Sequence, residues 1–379
     1  MIKRTLQELC LNITDGKHGD CENEENSGYY FISCKDIFDG QINYKNARQI
    51  TKADFEETHK RTMLEVDDIL LTNSGTIGRM AFVTDREATT KTTFQKSVAI
   101  IKPDKQKVLP RYLYYQLQNC VPQFINSSNG SAQKNLLLST MRTFQIEIEE
   151  NCEKQEKIAN TLSAYDDLIE NNQKQIKLLE EAAQRLYKEW FVDLRFPGHE
   201  NTKIVDGVPE GWSRGLLKEL ISVNYGKDHK KAPDDGNIPV YGSGGLMRKC
   251  NKSLFSGEAV LIPRKGSLNN IMYVDETFWT VDTMFYATMK QPHTAIFVYF
   301  FVKAFDMYSM NIGAAVPSMT TKILDAMDVV IPDKETLEKF DKQAKVCFDK
   351  IKTLQRQNEQ LRKARDLLLP KLMSGEVEV

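Results

Sequence analysis

Apolar residues recur at alternating steps of four and three along two long stretches of the chain. In the first they fall at Ile158, Leu162, Tyr165, Ile169, Ile176, Leu179, Ala183, Leu186 and Trp190, with Asn172 filling the one gap. A mean step of 3.5 keeps one narrow stripe of a helix facing a partner, so the stretch predicts a heptad seam about 50 Å long. The second stripe runs Phe340, Ala344, Cys347, Ile351, Leu354, Asn358, Leu361, Arg365, Leu368 and Leu372, interrupted only by Asn358 and Arg365. Outside these stretches the pattern changes. Short β-branched or apolar runs such as SVAII (97–101), AVLIP (259–263) and DVVIP (328–332) are broken by Gly, Asn, Pro and Asp. Such runs predict strands, with short helices at 112–120 and 296–305.

The two halves of the chain repeat each other. At an offset of 182 residues, which places Ile158 on Phe340, GSAQ (130–133) falls on IGAA (312–315) and FQIEI (144–148) on AMDVV (326–330). Upstream, DDILLTNSGTIG (67–78) resembles GEAVLIPRKGS (257–267) at an offset of about 190, as loop insertions would produce. The order is globular unit, long helix, globular unit, long helix. The boundaries read as 1–150 for the first globular domain, 151–192 for the first helix, 193–208 for a linker rich in turn residues, 209–332 for the second domain, and 333–379 for the second helix and tail. The fold class expected is mixed α/β repeats, related by a pseudo-twofold, plus two long helices forming an antiparallel coiled coil. The alternative is two amphipathic helices, each packed on its own domain. In the antiparallel arrangement Asn172 faces Asn358, which sets Ile169 against Leu361, Ile176 against Leu354, Leu179 against Ile351, Ala183 against Cys347 and Trp190 against Phe340. Tyr165 then meets Arg365, which could lie over the ring or reach to water.

Composition narrows the class. The net charge of -1 neither demands nor forbids a nucleic-acid partner, so what matters is whether cations cluster. The longest apolar run, 295–302, is too short to cross a bilayer, and the N-terminus lacks the apolar core of a signal peptide. Seven scattered Cys without a CxxC pair suggest reduced thiols in a cytoplasmic protein.

Several motifs follow one another in a fixed order. The second unit opens with VPEGW (208–212) and continues with NIPVYGSGG (237–245), VLIPRKGSLNN (260–270) and FWTVDTMFY (278–286). The first has TDGKHGD (14–20), FISCKDI (31–37) and ILLTNSGTIGR (69–79); the helices contribute KEWFVDLRFPG (188–198) and RDLLLPKLMSGE (365–376). In this order, inside a twofold repeat, they resemble the specificity subunits of type I restriction–modification systems over nearly the whole chain. The first unit departs in lacking a GW opening, and the second helix in carrying Arg365 on its seam. The resemblance implies that each globular unit reads one half of a bipartite DNA target. It further implies that the coiled coil sets the half-site spacing and docks two methyltransferase (modification) subunits, and that motor-nuclease (restriction) subunits join for cleavage.

Candidate DNA contacts lie in polar loops after apolar strands. Arg264, Lys265, Ser267, Asn269 and Asn270 surround Gly266; Arg and Lys suit guanine and Asn suits adenine in the major groove, although a plain surface turn has the same composition. Asn73, Ser74, Thr76 and Arg79 form the matching loop of the first unit, with Lys91 and Lys96 as neighbouring cations. Lys227, Lys230 and Lys231 form a cluster suited to phosphates or to bulk solvent, and Lys17 and His18 sit comparably in the first unit. Tyr241 and Ser243 belong to the following glycine-rich turn, which lacks GxGxxG spacing. Gln133 suits either an adenine contact or a local turn cap. Asp333 and Glu335 suit a helix N-terminus rather than a nuclease site.

Chemistry of the chain's own is not indicated. There is no NPPY-type motif, no GxxxxGK[ST] and no metal-ligand cluster among the His and Cys. The expectation is therefore a non-catalytic subunit with no cofactor of its own, with S-adenosylmethionine and ATP/Mg held by partner subunits. The rival class is a coiled-coil scaffold without DNA readout.

Overall fold

A computed structural model describes residues 1–128, 134–310 and 318–379. The chain divides into two compact units, Met1–Glu170 with Asn358–Val379, and Asn171–Gln357. Each unit therefore contains one globular repeat and a piece of both long helices.

In the first unit, strands Cys10–Asp15, Val98–Pro103, Ile69–Thr72 and Met80–Phe82 pair antiparallel in that spatial order. In the second, Ile221–Tyr225, Met284–Met289, Phe255–Pro263 and Met272–Thr280 take the same order. Register makes the repeat residue-specific. Ala99 pairs with Asp15 and Leu71, while Phe285 pairs with Tyr225 and Ile262. Asn73 thus corresponds to Arg264, one position beyond the alignment made at an offset of about 190. A similar slip occurs in the last strand. Ile2 faces Ile148 and Ser213 faces Ile331, so Ile148 corresponds to Ile331 rather than to Val330. A one-residue error in a strand exchanges its two faces; the corrected match places buried Ile146 on buried Val329.

A second pairing is also duplicated. Tyr30–Ile32 runs parallel to Thr92–Phe94 and antiparallel to Arg48–Gln49. Likewise Ile238–Gly242 runs parallel to the end of Met272–Thr280 and antiparallel to Gly245–Cys250. The first repeat is longer because it inserts the hairpin Ile37–Phe38 with Gln41–Ile42 and the helices Lys52–Thr62 and Arg86–Thr89. These insertions are why the sequence match loosens upstream. The repeated GSAQ and IGAA segments lie outside the described residues.

The long helices are Cys152–Tyr187, continued by a π-helical turn at Lys188–Val192, and Lys334–Ser374. Matching caps start them. The Asn151 side chain accepts from the backbone N–H of Glu153 and Lys154, and Asp333 accepts from Thr336 at 2.9 Å. In the first unit Ile158, Ala159 and Leu162 share a core with Leu369, Leu372 and Met373. In the second, Ala183, Tyr187 and Trp190 share one with Leu337, Phe340 and Ala344, and the Trp190 and Phe340 rings lie 5.9 Å apart. The start of one helix thus meets the end of the other, which is antiparallel pairing. Along the seam Ile169, Asn172, Ile351, Leu354 and Asn358 are buried, and Tyr165, Ile176, Leu179, Leu186, Leu361 and Leu368 half-buried. Arg365 takes neither route expected of it. Its guanidinium bonds the Asp166 and Asp366 carboxylates, and the Tyr115 hydroxyl donates to Asp166 at 2.6 Å. Pairing of this kind offsets the loss of water around a half-buried seam cation.

Candidate nucleic-acid interface

The motifs TDGKHGD, FISCKDI and ILLTNSGTIGR lie far apart in sequence but converge on one turn, Gln95–Ser97. Lys17 N–H donates to Phe94 O at 2.8 Å, Gln95 N–H to Ile32 O at 2.8 Å, Asn73 N–H to Ser97 O at 3.0 Å and Leu136 N–H to Asn73 O at 2.8 Å. The second repeat reproduces each bond. Lys227 donates to Thr280 at 2.9 Å, Val281 to Tyr241 at 3.0 Å, Arg264 to Thr283 at 2.8 Å and Met319 to Arg264 at 2.9 Å. Glycine is required where the first loop leaves the sheet. A Cβ on Gly16 would lie 1.9 Å from Phe94 O, and one on Gly226 2.0 Å from Val281 O. Backbone alone thus gathers the candidate loops of each unit, whatever side chains they carry.

The side chains within this shared frame differ. In the first unit Lys17 Nζ is held by Asp54 at 2.9 Å and Glu57 at 3.3 Å, both from the inserted helix Lys52–Thr62. The Asp54 bond raises the Lys17 ammonium to about 12. His18 Nε2 lies 2.8 Å from Asp15, which also binds Arg61. Asn73 is buried; its backbone spans Ser97 and Leu136, and its Oδ1 has no hydrogen-bond partner among the described residues. Ser74 bridges to Asn135, Thr76 is exposed and its carbonyl accepts from Thr72, and exposed Arg79 reaches Cys34 O at 3.5 Å. Lys91 pairs with Glu87, whereas exposed Lys96 makes no ion pair among the described residues. Gln133 lies outside the described residues.

The second unit presents more open charge. Lys227, Lys230, Lys231 and Lys265 are exposed and make no ion pair among the described residues. Arg264 is half-buried, its guanidinium 5.6 Å from the Tyr225 ring centroid and within reach of Asp282 O at 3.4 Å. Both asparagines make intramolecular hydrogen bonds, Asn269 at the exposed surface and Asn270 half-buried. Asn269 donates to Asp306 at 2.9 Å and accepts from Met307 N–H at 2.8 Å, and Asn270 donates to Ser243 O at 2.9 Å. These bonds fix the loop around Gly266, whose φ of 83° favours glycine. Tyr241 donates its hydroxyl to Glu276, and Ser267 is exposed.

Two arginines absent from the sequence-based candidates border these loops. Arg48 opposes Phe31 and Arg248 opposes Val240, equivalent positions in the duplicated pairing. No linear signal marks them, since different lengths of chain precede each. Among the described residues, no group of three or more His, Cys, Asp or Glu is placed to hold a metal, and no helix is long and apolar enough to cross a membrane.

The family model described as "Type I restriction modification DNA specificity domain" matches residues 3–181 and again 209–366. The type I restriction enzyme MjaIX specificity subunit of Methanocaldococcus jannaschii is 27% identical over 394 residues, covering 92% of this chain and 87% of that protein. The HindI specificity subunit of Haemophilus influenzae is 23% identical, covering 73% and 80%. The crystal structure of a type I restriction–modification S subunit from M. genitalium shares the fold, with a TM-score of 0.59 at 18% identity over 98% of this chain and 95% of that one.

Proposed function

Because the chain belongs to the type I restriction modification DNA specificity family, we propose that each of its two repeats reads one half of a bipartite duplex target. The observation that carries this reading is the duplicated hydrogen-bond frame, which holds Lys17 and Asn73 where the other repeat holds Lys227 and Arg264. Exposed cations on such loops supply phosphate affinity that fixes orientation, and neighbouring polar groups then meet base edges in the major groove. Lys227, Lys230, Lys231, Lys265 and Ser267 serve the second half-site; His18, Thr76, Arg79 and Lys96 serve the first. Asn269, Asn270 and Tyr241 shape the loops through their intramolecular hydrogen bonds.

The paired helices act as the spacer that sets the number of base pairs between half-sites, and they dock two modification subunits. The chain itself carries no catalytic group in this scheme. S-adenosylmethionine, and ATP with Mg²⁺ for cleavage, are bound by the modification and restriction subunits, and the assembly works in the cytoplasm. Mapping methylated adenines in cells with and without this chain tests the proposal. A split recognition sequence methylated only when the chain is present is expected. An unchanged methylation map would favour a scaffold without DNA readout.

A further inference from the structure

We propose that Arg48 and Arg248 are paired positioning residues, one per repeat, that hold the loop after Gly16 and the loop after Gly226 in the shape that reads DNA. The inference rests on the DNA-reading role proposed above for those loops. It starts from equivalence. Phe31 pairs parallel with Thr93 and antiparallel with Arg48; Val240 pairs parallel with Trp279 and antiparallel with Arg248. The next residue in each case, Ile32 or Tyr241, accepts the backbone bond that closes the central turn. The arginines therefore occupy one architectural position, although the loops they face share little sequence.

Each guanidinium gathers its own loop. Arg48 donates to Asn23 Oδ1, to Asp20 Oδ1 and to the carbonyl of Cys21. Arg248 donates to Asp234 Oδ1, to the carbonyl of His229 and to that of Ala232 at 2.7 Å. The first set spans the loop that begins with Lys17 and His18, the second the loop that carries Lys227, Lys230 and Lys231. In both repeats the arginine side chain is mostly covered, 28% and 22% exposed, while its carboxylate partner is 82% and 80% exposed. A covered, paired guanidinium is a poor phosphate ligand but a good brace. Its planar fork satisfies several acceptors in one plane, which an ammonium cannot do. The Arg48 guanidinium also holds the Asp20 carboxyl below the ordinary carboxylate range, so that pair stays ionised at neutral pH.

The test uses the chain assembled with its modification subunits and duplexes carrying the target mapped by methylation sequencing, with single mismatches in either half. Arg48→Lys and Arg248→Lys keep the charge and remove the fork. Each is expected to lower discrimination between matched and mismatched duplex by about fivefold or more in one half-site, a different one for each variant. The dependence of affinity on salt should stay within about half a phosphate contact of the parent. Asp20→Asn and Asp234→Asn remove only exposed anchors, so they report on loop shape even if an arginine variant folds poorly; each should weaken the same half-site as its arginine. Full discrimination in all four variants, equal loss at both halves, or retained discrimination in the Lys variants beside a reduced salt slope in Arg→Ala variants overturns the inference. A parent assembly that shows no sequence preference overturns instead the DNA-reading role on which it rests.

Discussion

Replacing Lys227, Lys230, Lys231 and Lys265 together with Ala should remove most of the salt-sensitive DNA affinity of the second repeat without unfolding it. All four side chains are exposed and make no ion pair among the described residues, so each change should alter stability by no more than about 0.5 kcal/mol. If each lysine neutralises one phosphate, the slope of log affinity against log salt falls by about 3.6, at about 0.9 per contact. Between 50 and 200 mM salt the parent should then lose about 150-fold more affinity than the variant. Lys17→Ala is the informative comparison. Lys17 occupies the position of Lys227 but is clamped by Asp54 and Glu57, so its removal should leave the slope nearly unchanged and cost up to about 1 kcal/mol of stability. Fluorescence anisotropy of the assembled complex on duplex DNA over a salt series measures both. An unchanged slope in the quadruple variant, or an equal fall with Lys17→Ala, would refute the assignment of open and neutralised cations.

Replacing residues 1–150 with the corresponding region of a relative should change one half of the methylated sequence and leave the other intact; a change in both halves would contradict independent readers. Deleting 173–179 together with the facing 351–357 keeps the heptad phase and shortens the spacer by about 10 Å, or about three base pairs. Methylation mapping should show a shorter spacer between unchanged half-sites, and an unaltered spacer would remove the helices from that role. Trp190→Ala empties a seam position packed against Phe340 and Phe191. It should destabilise the protein by about 3–5 kcal/mol in denaturant titration, whereas a loss below about 1 kcal/mol would mean that the ring does not anchor the seam.

By itself the sequence determined the long-range plan. Heptad periodicity is written in residues three and four apart, so the seam from Ile158 to Trp190 and its counterpart from Phe340 to Leu372 could be read position by position. The twofold repeat was legible for the same reason, because similar segments keep similar patterns. Only the tertiary structure decided which candidate groups are open to a ligand. Lys17 and Lys227 look alike in sequence, but the helix Lys52–Thr62, an insertion in one repeat, brings two carboxylates to the first. Asn269 and Asn270 read in sequence only as amides suited to adenine; folding adds bonds to Asp306, Met307 and Ser243, partners about thirty or more positions away. Arg48 and Arg248 carry no motif, and their equivalence exists only in strand register. A periodic stripe is a local property of the chain, whereas the engagement of a polar group depends on neighbours that only folding brings within hydrogen-bond reach.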